Sequence, residues 1–199
     1  FKYPNLRHSI VTNAQLLDEK TIKKLVTNNV ELTISVDGVS KEVYEYIRKG
    51  ADFSKLIRNL KLILELKNKH KSNMVLNLNV AVMKSNYRQL EGFIDFAKEY
   101  GFEFICLMPI HIHLKTPEDI FTNQDMQAME FITKVSLKVE EKARQYGIRI
   151  ENRLSRLNEG TENRLPQAPK DNIAQEVKAN NKLLCHIPWQ QLLIDYDGS

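Results

Sequence analysis

The segment VELTISVDG, residues 30–38, predicts a short buried strand that ends in a cluster of small polar residues. A stretch with helical spacing follows at once and carries Arg48. In α/β proteins, polar residues at the carboxyl end of a strand are where ligands bind. Asp37-Gly38 is also typical of an ordinary turn at the start of a helix. The segment alone therefore leaves a ligand site and a turn equally open.

Strand and helix patterns alternate on both sides of this segment. The predicted strands are Arg7–Thr12, Leu32–Val36, Asn73–Met83 and Phe102–Met108, and the predicted helices are Asp18–Leu25, Ser40–Arg48, Phe53–Asn68 and Tyr87–Tyr100. Such alternation with short connections predicts an α/β fold of parallel strands with helices outside. Right-handed crossovers then give either a doubly wound sheet or part of a (β/α) barrel.

The organisation changes after the fourth predicted strand. A long helix is predicted over Thr122–Tyr146, with a strand at Ile148–Ile150. Residues 153–182 are polar, which is typical of a linker or mobile loop, and residues 183–199 predict one hairpin strand that enters a turn. We therefore expect an α/β region over residues 1–152, followed by the linker and the hairpin.

Composition narrows the classes of function. The chain of 199 residues is 42% hydrophobic and 27% charged, which is ordinary for a soluble globular protein. The net charge of +4 is spread along the chain, so we expect no nucleic-acid partner. No apolar run approaches membrane-spanning length, so we expect no membrane partner. The two cysteines, Cys106 and Cys185, lie far apart, which excludes a disulfide scaffold and favours a reducing cytoplasm.

Polar residues end two consecutive predicted strands. Thr12-Asn13 closes the first strand, and Ser35 and Asp37 close the second, so parallel pairing would place them on one rim. Hydroxyl and carboxylate groups there suit a ribose or an amino-acid head group, and turn formation with helix capping is the alternative. Arg48 could reach a ligand carboxylate, and its alternative is a solvated charge on a helix.

Other chemically active residues have simpler interpretations. Asn86 follows the third strand, where it could belong to a ligand site or cap the next helix, and the cap is the favoured interpretation. His111 and His113 could face the same way, but no nearby third ligand completes a metal site. Cys106 lies inside a predicted strand and is expected to be a small core residue. The chain contains no Gly-x-Gly-x-x-Gly, no Gly-Lys-Thr phosphate loop and no Gly-x-Ser-x-Gly nucleophile elbow, which disfavours the common nucleotide-binding and hydrolase classes.

Four motifs in order resemble the radical S-adenosylmethionine (SAM) family. They are Ile10–Leu17, Ile34–Gly38 with Tyr44, Arg48, Gly50 and Phe53 beyond it, Val82–Leu90, and Phe104–Pro109. Each motif is loose and is similar to one of the family's third to sixth strands, while their order and spacing together are specific. The resemblance covers residues 7–109 and implies a partial (β/α) barrel with parallel strands.

The end of the chain resembles a second feature of the family. Cys185, Pro188-Trp189 and Gly198 are similar to the start of a SPASM or twitch extension, whose cysteines bind an auxiliary iron–sulfur cluster. The resemblance implies Cys185 as a metal ligand and a SPASM-like hairpin that begins within residues 183–199. A lone thiol in a loop is the alternative.

The chain also departs from the family. The defining CxxxCxxC loop is absent from all 199 residues, as is the glycine-rich segment that holds the methionine amine, and Ala14 stands where the family usually has glycine. We therefore expect a fragment, cut before the family's third strand and again inside the auxiliary-cluster region. Such a fragment is expected neither to bind the catalytic cluster nor to cleave SAM, and we expect no cofactor bound in it.

The resemblance implies a set of SAM contacts. Thr12, Asn13, Ser35 and Asp37 would contact SAM, Arg48 would meet its carboxylate, and Leu107 would offer its backbone to the adenine. The full-length enzyme would use a [4Fe–4S] cluster to cleave SAM to a 5′-deoxyadenosyl radical, which abstracts hydrogen from a substrate such as a peptide or protein. Exposed barrel edges could also support a dimer.

Two other functions stay open at this point. The first is a cofactor-free β-α binding or structural domain. The second is a fragment of a TIM-barrel aldolase or isomerase, in which an aldolase would place a reactive lysine inside a strand. Lys84 is the candidate at a strand end, and it falls outside the core pattern.

Overall fold

The computed structural model describes residues 8–110 and 116–154. The strands are β1 (Ser9–Thr12), β2 (Glu31–Ser35), β3 (Leu76–Val82), β4 (Phe104–Pro109) and β5 (Arg149–Asn152). The helices are α1 (Glu19–Thr27), α2 (Lys41–Ile47), α3 (Phe53–Lys69), α4 (Leu90–Glu99) and α5 (Met126–Gln145), with a 3-10 turn over Tyr87–Gln89. The order of elements confirms the predicted β-α alternation, including the strand after the long helix.

The five strands form one parallel sheet in the order β1-β2-β3-β4-β5. Each connection between neighbouring strands therefore contains at least one helix, as parallel strands require. The α/β fold with parallel strands is confirmed. Because all the carboxyl ends lie on one edge, residues that follow different strands are brought to that same edge.

The sheet has one apolar face and one polar face. Along the chain, alternate residues of a strand point to opposite faces, and residues in register on parallel strands point to the same face. Ile34, Leu78 and Ile105 are in register and have no exposed surface, and they join the helices in the hydrophobic core. Thr33 and Asn77 are in register on the other face. The period-two pattern predicted for the third strand is thus the pattern observed.

Local polar contacts fix where the helices begin. The carboxylate of Asp18 accepts the Thr21 N–H at 2.7 Å, that of Asp52 accepts the Lys55 N–H at 3.0 Å, and that of Asp125 accepts the Ala128 N–H at 3.2 Å. Each satisfies a backbone donor that has no partner within the helix. Residues at these cap positions explain why helix starts were predicted to within a few residues.

Two predicted helices differ from the structure. The segment Tyr87–Tyr100 contains a 3-10 turn before α4, which begins at Leu90, and Gly101 ends the helix with φ of +74°, as predicted. The long helix begins at Met126 and not at Thr122, because Asp125 supplies the cap. None of the helices in the described ranges is both long and apolar enough to cross a membrane.

Several predictions lie outside the described residues. They include His111 and His113, most of the predicted linker, the SPASM-like hairpin and Cys185. They stay predictions.

Candidate functional site

The polar residues predicted at the strand ends do not all lie on one face. Thr12 is in register with Ile34 and belongs to the apolar face, whereas the neighbouring Ser35 belongs to the polar face. Leu107 is in register with Val80, again on the apolar face. The carboxyl edge of the sheet therefore holds these residues on both faces, with Ser35 on the polar one.

Thr12 and Asn13 form the turn that follows β1. The Thr12 hydroxyl oxygen accepts the Ala14 N–H at 3.1 Å, and the Asn13 amide oxygen accepts the Gln15 N–H at 3.0 Å. Ala14 is buried with φ of +60°, the left-handed conformation that favours glycine. Turn formation, the alternative named for this pair, is therefore observed, and the backbone explains why glycine would suit the position.

The carboxylate of Asp37 bonds to other groups of the protein. The residue is 6% exposed, its Oδ1 accepts the Ala81 N–H at 2.9 Å, and its Oδ2 lies 2.8 Å from Nη2 of Arg48. Asp37 thus joins the end of β2 to the end of β3 and to the helix that follows. The next residue, Gly38, lies so close to α2 that an added Cβ would lie 2.5 Å from the Tyr44 nitrogen.

Arg48 is held at the end of α2. Its side chain is 23% exposed, so it is not the freely solvated helix charge considered as the alternative. Its Nε is buried and has no hydrogen-bond partner among the described residues. A buried guanidinium nitrogen without an acceptor is costly, so this atom is suited to an anionic ligand oxygen.

Asn86 was predicted to cap a helix, and it lies at the N-cap position of the 3-10 turn over Tyr87–Gln89 without capping it through its side chain. Its Nδ2 donates to the backbone oxygens of Asp37 at 2.9 Å and Ala81 at 2.8 Å, and its Oδ1 accepts the Met83 N–H at 2.8 Å. Asn86 has no exposed surface, so these bonds satisfy polar groups that water does not reach. The Asn86 oxygen that a cap would use is occupied by the Met83 N–H on the preceding side of the turn.

The polar face carries a row of four polar groups, of which Ser35 was a predicted ligand contact and Cys106 a predicted core residue. Ser35, Asn79, Cys106 and Glu151 are in register across four neighbouring strands. The row places a hydroxyl, a carboxamide, a thiol and a carboxylate side by side. The alternation of asparagine with apolar residues in the third strand was the visible signal, but it did not reveal which residues of other strands would lie beside it.

Cys106 is confirmed as a small buried residue. It is 3% exposed, and burial raises the pKa of its thiol. Its Sγ lies 4.0 Å from Oε2 of Glu151, whose Oε1 pairs with Nε of Arg153 at 2.9 Å. A buried thiol with a raised pKa is a poor nucleophile and a poor metal ligand.

Leu107 is buried inside β4 at 1% exposure. Its carbonyl oxygen accepts the Arg153 N–H at 2.9 Å, so this backbone oxygen already has a hydrogen-bond partner within the protein. The half-buried Met108 and Pro109 lie closer to the end of the strand. The role predicted for the Leu107 backbone stays a prediction.

The described residues suit part of a SAM site and not a cluster site. Ser35 offers a hydroxyl, and Arg48 offers a guanidinium with a buried unpartnered nitrogen, which fits a ligand with a carboxylate. A [4Fe–4S] cluster takes about four cysteine thiolates, whereas the described ranges contain one cysteine, buried in β4, and no group of three or more metal-ligating side chains. No step through a cluster can be assigned to these residues.

A separate cleft of about 610 Å³ opens between the end of β3 and α5. It is lined by Lys84, Thr116, Pro117, Asn123 and Asp125. The Lys84 ammonium pairs with the Asp125 carboxylate at 3.1 Å, and the lysine side chain is 59% exposed. An exposed, ion-paired lysine is not the desolvated nucleophile that an aldolase needs, which disfavours that alternative.

One family model and two relatives match the sequence of this chain. The family model described as the radical SAM superfamily matches residues 2–97. The chain is 30% identical over 115 residues to a cysteine-type anaerobic sulfatase-maturating enzyme of Clostridium novyi (strain NT), covering 54% of this chain and 29% of that protein. It is 26% identical over 131 residues to a GTP 3′,8-cyclase of Clostridium botulinum (strain Okra / Type B1), covering 64% of this chain and 38% of that protein.

The solved structures agree with the sequence matches. Native anSMEcpe with bound AdoMet superposes with a TM-score of 0.55 at 25% identity, over 76% of this chain and 42% of that one. The same protein with bound AdoMet and Cp18Cys peptide gives the same values. The chain thus spans less than half the length of these relatives.

Proposed function

We propose that the chain is part of a radical SAM enzyme, and that it supplies the part of the enzyme that holds the carboxylate and ribose of SAM. The observation that carries the proposal is Arg48, fixed by Asp37 at 2.8 Å with a buried Nε that lacks a partner among the described residues. Superfamily members use SAM with a [4Fe–4S] cluster, which supplies the electron for SAM cleavage.

In this proposal each residue has a limited task. Arg48 binds the SAM carboxylate through charge-assisted hydrogen bonds, and Ser35 offers its hydroxyl to the ligand from the polar face. Thr12, Asn13 and Leu107 are proposed contacts at the rim, where Thr12 and Asn13 hold the turn after β1. The described residues bind and orient, and the difficult chemistry belongs to the cofactors.

We propose a peptide or protein as the substrate of the full-length enzyme. One matched relative is a sulfatase-maturating enzyme, and one solved neighbour holds a peptide together with AdoMet. The other matched relative is a GTP cyclase. Because the relatives differ in the substrates that their names state, the shared segment supports SAM binding more strongly than it supports any one substrate.

The remaining features of the proposal concern the full-length protein. We propose that its catalytic cluster is bound by cysteines outside these 199 residues, so that the present chain alone is inactive. We also propose that Cys185 binds an auxiliary cluster of the SPASM type and that the enzyme works in the cytoplasm. For the 199-residue chain taken alone, we propose that the edge at β1, where Ile10 and Val11 are 38% and 39% exposed, supports dimerisation.

The proposal is tested by titrating SAM into the full-length protein and comparing variants with equal iron content. Arg48→Ala should weaken SAM binding about tenfold or more, since one charged hydrogen bond contributes about 1.5–3 kcal/mol. Ser35→Ala should weaken it about two- to tenfold. The matched control is Lys49→Ala, which removes an exposed neighbouring charge and should change little. Wild-type protein that does not bind SAM, or an Arg48 variant that binds like the control, would contradict the proposal.

A further inference from the structure

Asp37 was expected to contact SAM, but its carboxylate already has protein partners on both oxygens. Oδ1 accepts the Ala81 N–H at 2.9 Å, and Oδ2 lies 2.8 Å from Nη2 of Arg48. The Asp37 side chain is 9% exposed, so its carboxylate has little surface to offer a ligand. Its contacts therefore point to a task within the protein.

Asp37 is itself fixed by a second buried residue. The Asn86 amide donates to the carbonyl oxygens of Asp37 and Ala81 at 2.9 and 2.8 Å, while its oxygen accepts the Met83 N–H at 2.8 Å. The ends of β2 and β3 are thereby joined through one side chain with no exposed surface. The backbone at Asp37 is therefore held by the sheet and by the buried Asn86 amide, and this limits where the Asp37 carboxylate can lie.

The partner of this fixed carboxylate is a long, otherwise adaptable side chain. Arginine presents five N–H donors in a planar fork, and anchoring one nitrogen restricts where the others can lie. Asp37 anchors Nη2, while Nε is buried without an acceptor among the described residues. A guanidinium held in this way is prepared for a second acceptor before any ligand arrives.

We propose that Asp37 is a positioning residue that orients the Arg48 guanidinium toward the SAM carboxylate, and that Asn86 fixes Asp37 for that task. This inference rests on the proposed function, because it requires that Arg48 binds SAM. It replaces the expected direct contact between Asp37 and SAM. Asp37 and Asn86 act through Arg48 and do not touch the ligand.

The test compares two ligands that differ in the group that Arg48 would bind. SAM carries the amino-acid carboxylate, whereas 5′-methylthioadenosine keeps the adenosine and the methylthio group but lacks the whole aminocarboxypropyl group and the sulfonium charge. In the full-length protein, Asp37→Asn keeps the shape and the acceptor for Ala81 but loses the charge that holds Arg48. We expect SAM affinity to fall about tenfold, which is the effect of one charge-assisted hydrogen bond. The affinity for 5′-methylthioadenosine should stay within about twofold of wild type by the same argument.

A double variant separates action through Arg48 from direct contact. In an Arg48→Ala background, Asp37→Asn should cause no further loss of SAM affinity, because coupled residues are not additive. Additive losses would overturn the inference, since they would mean that Asp37 contacts the ligand itself. Equal losses for both ligands would also overturn it, because they indicate a purely structural role, as would an Asp37→Asn protein that binds SAM normally.

A second variant covers the case in which Asp37→Asn does not fold. Asp37→Glu keeps the charge but moves the carboxylate by one methylene, and we expect a smaller loss that is again confined to SAM. Equal loss for both ligands with Glu would overturn the inference. Failure of the proposed function looks different, because then wild-type protein would not bind SAM or Arg48→Ala would have no effect.

Discussion

Gly38 shows how a single residue fixes the geometry around Asp37. A Cβ added to Gly38 would lie 2.5 Å from the nitrogen and 2.8 Å from the Cα of Tyr44, both backbone atoms of α2. Backbone atoms cannot turn aside as a side chain can, so α2 would have to move. The close approach of this helix to the end of β2 therefore requires glycine at this position.

We expect Gly38→Ala to lower the free energy of unfolding by about 1–3 kcal/mol, the usual cost of forcing an extra group into a packed site. The matched control is Gly92→Ala within α4, where the added Cβ meets only Cγ2 of Val39 at 3.1 Å. Alanine favours a helix over glycine by up to about 1 kcal/mol, so the control should be close to neutral. Urea unfolding measures both variants, and equal midpoints would show that the close approach is not rigid.

For single residues, the sequence predicted which of them lie at the strand ends but not what their side chains contact. Asp37 and Arg48 were candidates because of their position and charge, yet their ion pair depends on the path of α2. Asn86 lies 49 residues from Asp37 in sequence, and no local pattern identifies such a partner. Local spacing therefore located the rim, whereas long-range contacts decided the role of each side chain.

Among the elements, α1 shows how local chemistry determines a helix start. The Asp18 side chain accepts the Thr21 N–H at 2.7 Å, and hydrogen bonds with Thr21 lower the pKa of Asp18 from 3.8. A carboxyl group with a lowered folded-state pKa stabilises the fold above its unfolded-state pKa. That contribution is lost as the pH falls through the folded-state pKa.

We expect Asp18→Ala to lower the urea midpoint at neutral pH, and the difference from wild type to shrink at pH values progressively below 3.8. Asp18→Asn is the control, because asparagine caps a helix as well without titrating. A gap between wild type and the alanine variant that stays constant across this range would mean that the charge of Asp18 does not stabilise α1.

Helices and strands were predicted well because their signals are local. Caps, apolar periodicity and Gly101 mark their limits within a few residues. The start of α4 was not predicted, since the 3-10 turn over Tyr87–Gln89 has the same amphipathic pattern as the helix. Its distinct geometry follows from tertiary contacts of Asn86 and from the Gln89 side chain, whose oxygen accepts the Val39 N–H at 3.0 Å.

In the molecule as a whole, the two faces of the sheet differ in kind. One face is apolar and packs with the helices, and the other presents Thr33, Ser35, Asn77 and Asn79. A parallel sheet buried on both faces is usually apolar on both. The polar second face departs from that pattern, and it presents hydrogen-bonding side chains beside the edge where β2 and β3 end.

The most direct test of SAM-dependent radical chemistry is the formation of 5′-deoxyadenosine by the full-length protein after anaerobic iron–sulfur reconstitution, with a chemical reductant and SAM. We expect 5′-deoxyadenosine from the wild type, much less from Arg48→Ala with equal iron content, and none from the 199-residue chain alone, which should also lack [4Fe–4S] absorption. A fully loaded wild-type protein that forms no 5′-deoxyadenosine, or an Arg48→Ala protein that forms it at the wild-type rate, would contradict the assignment.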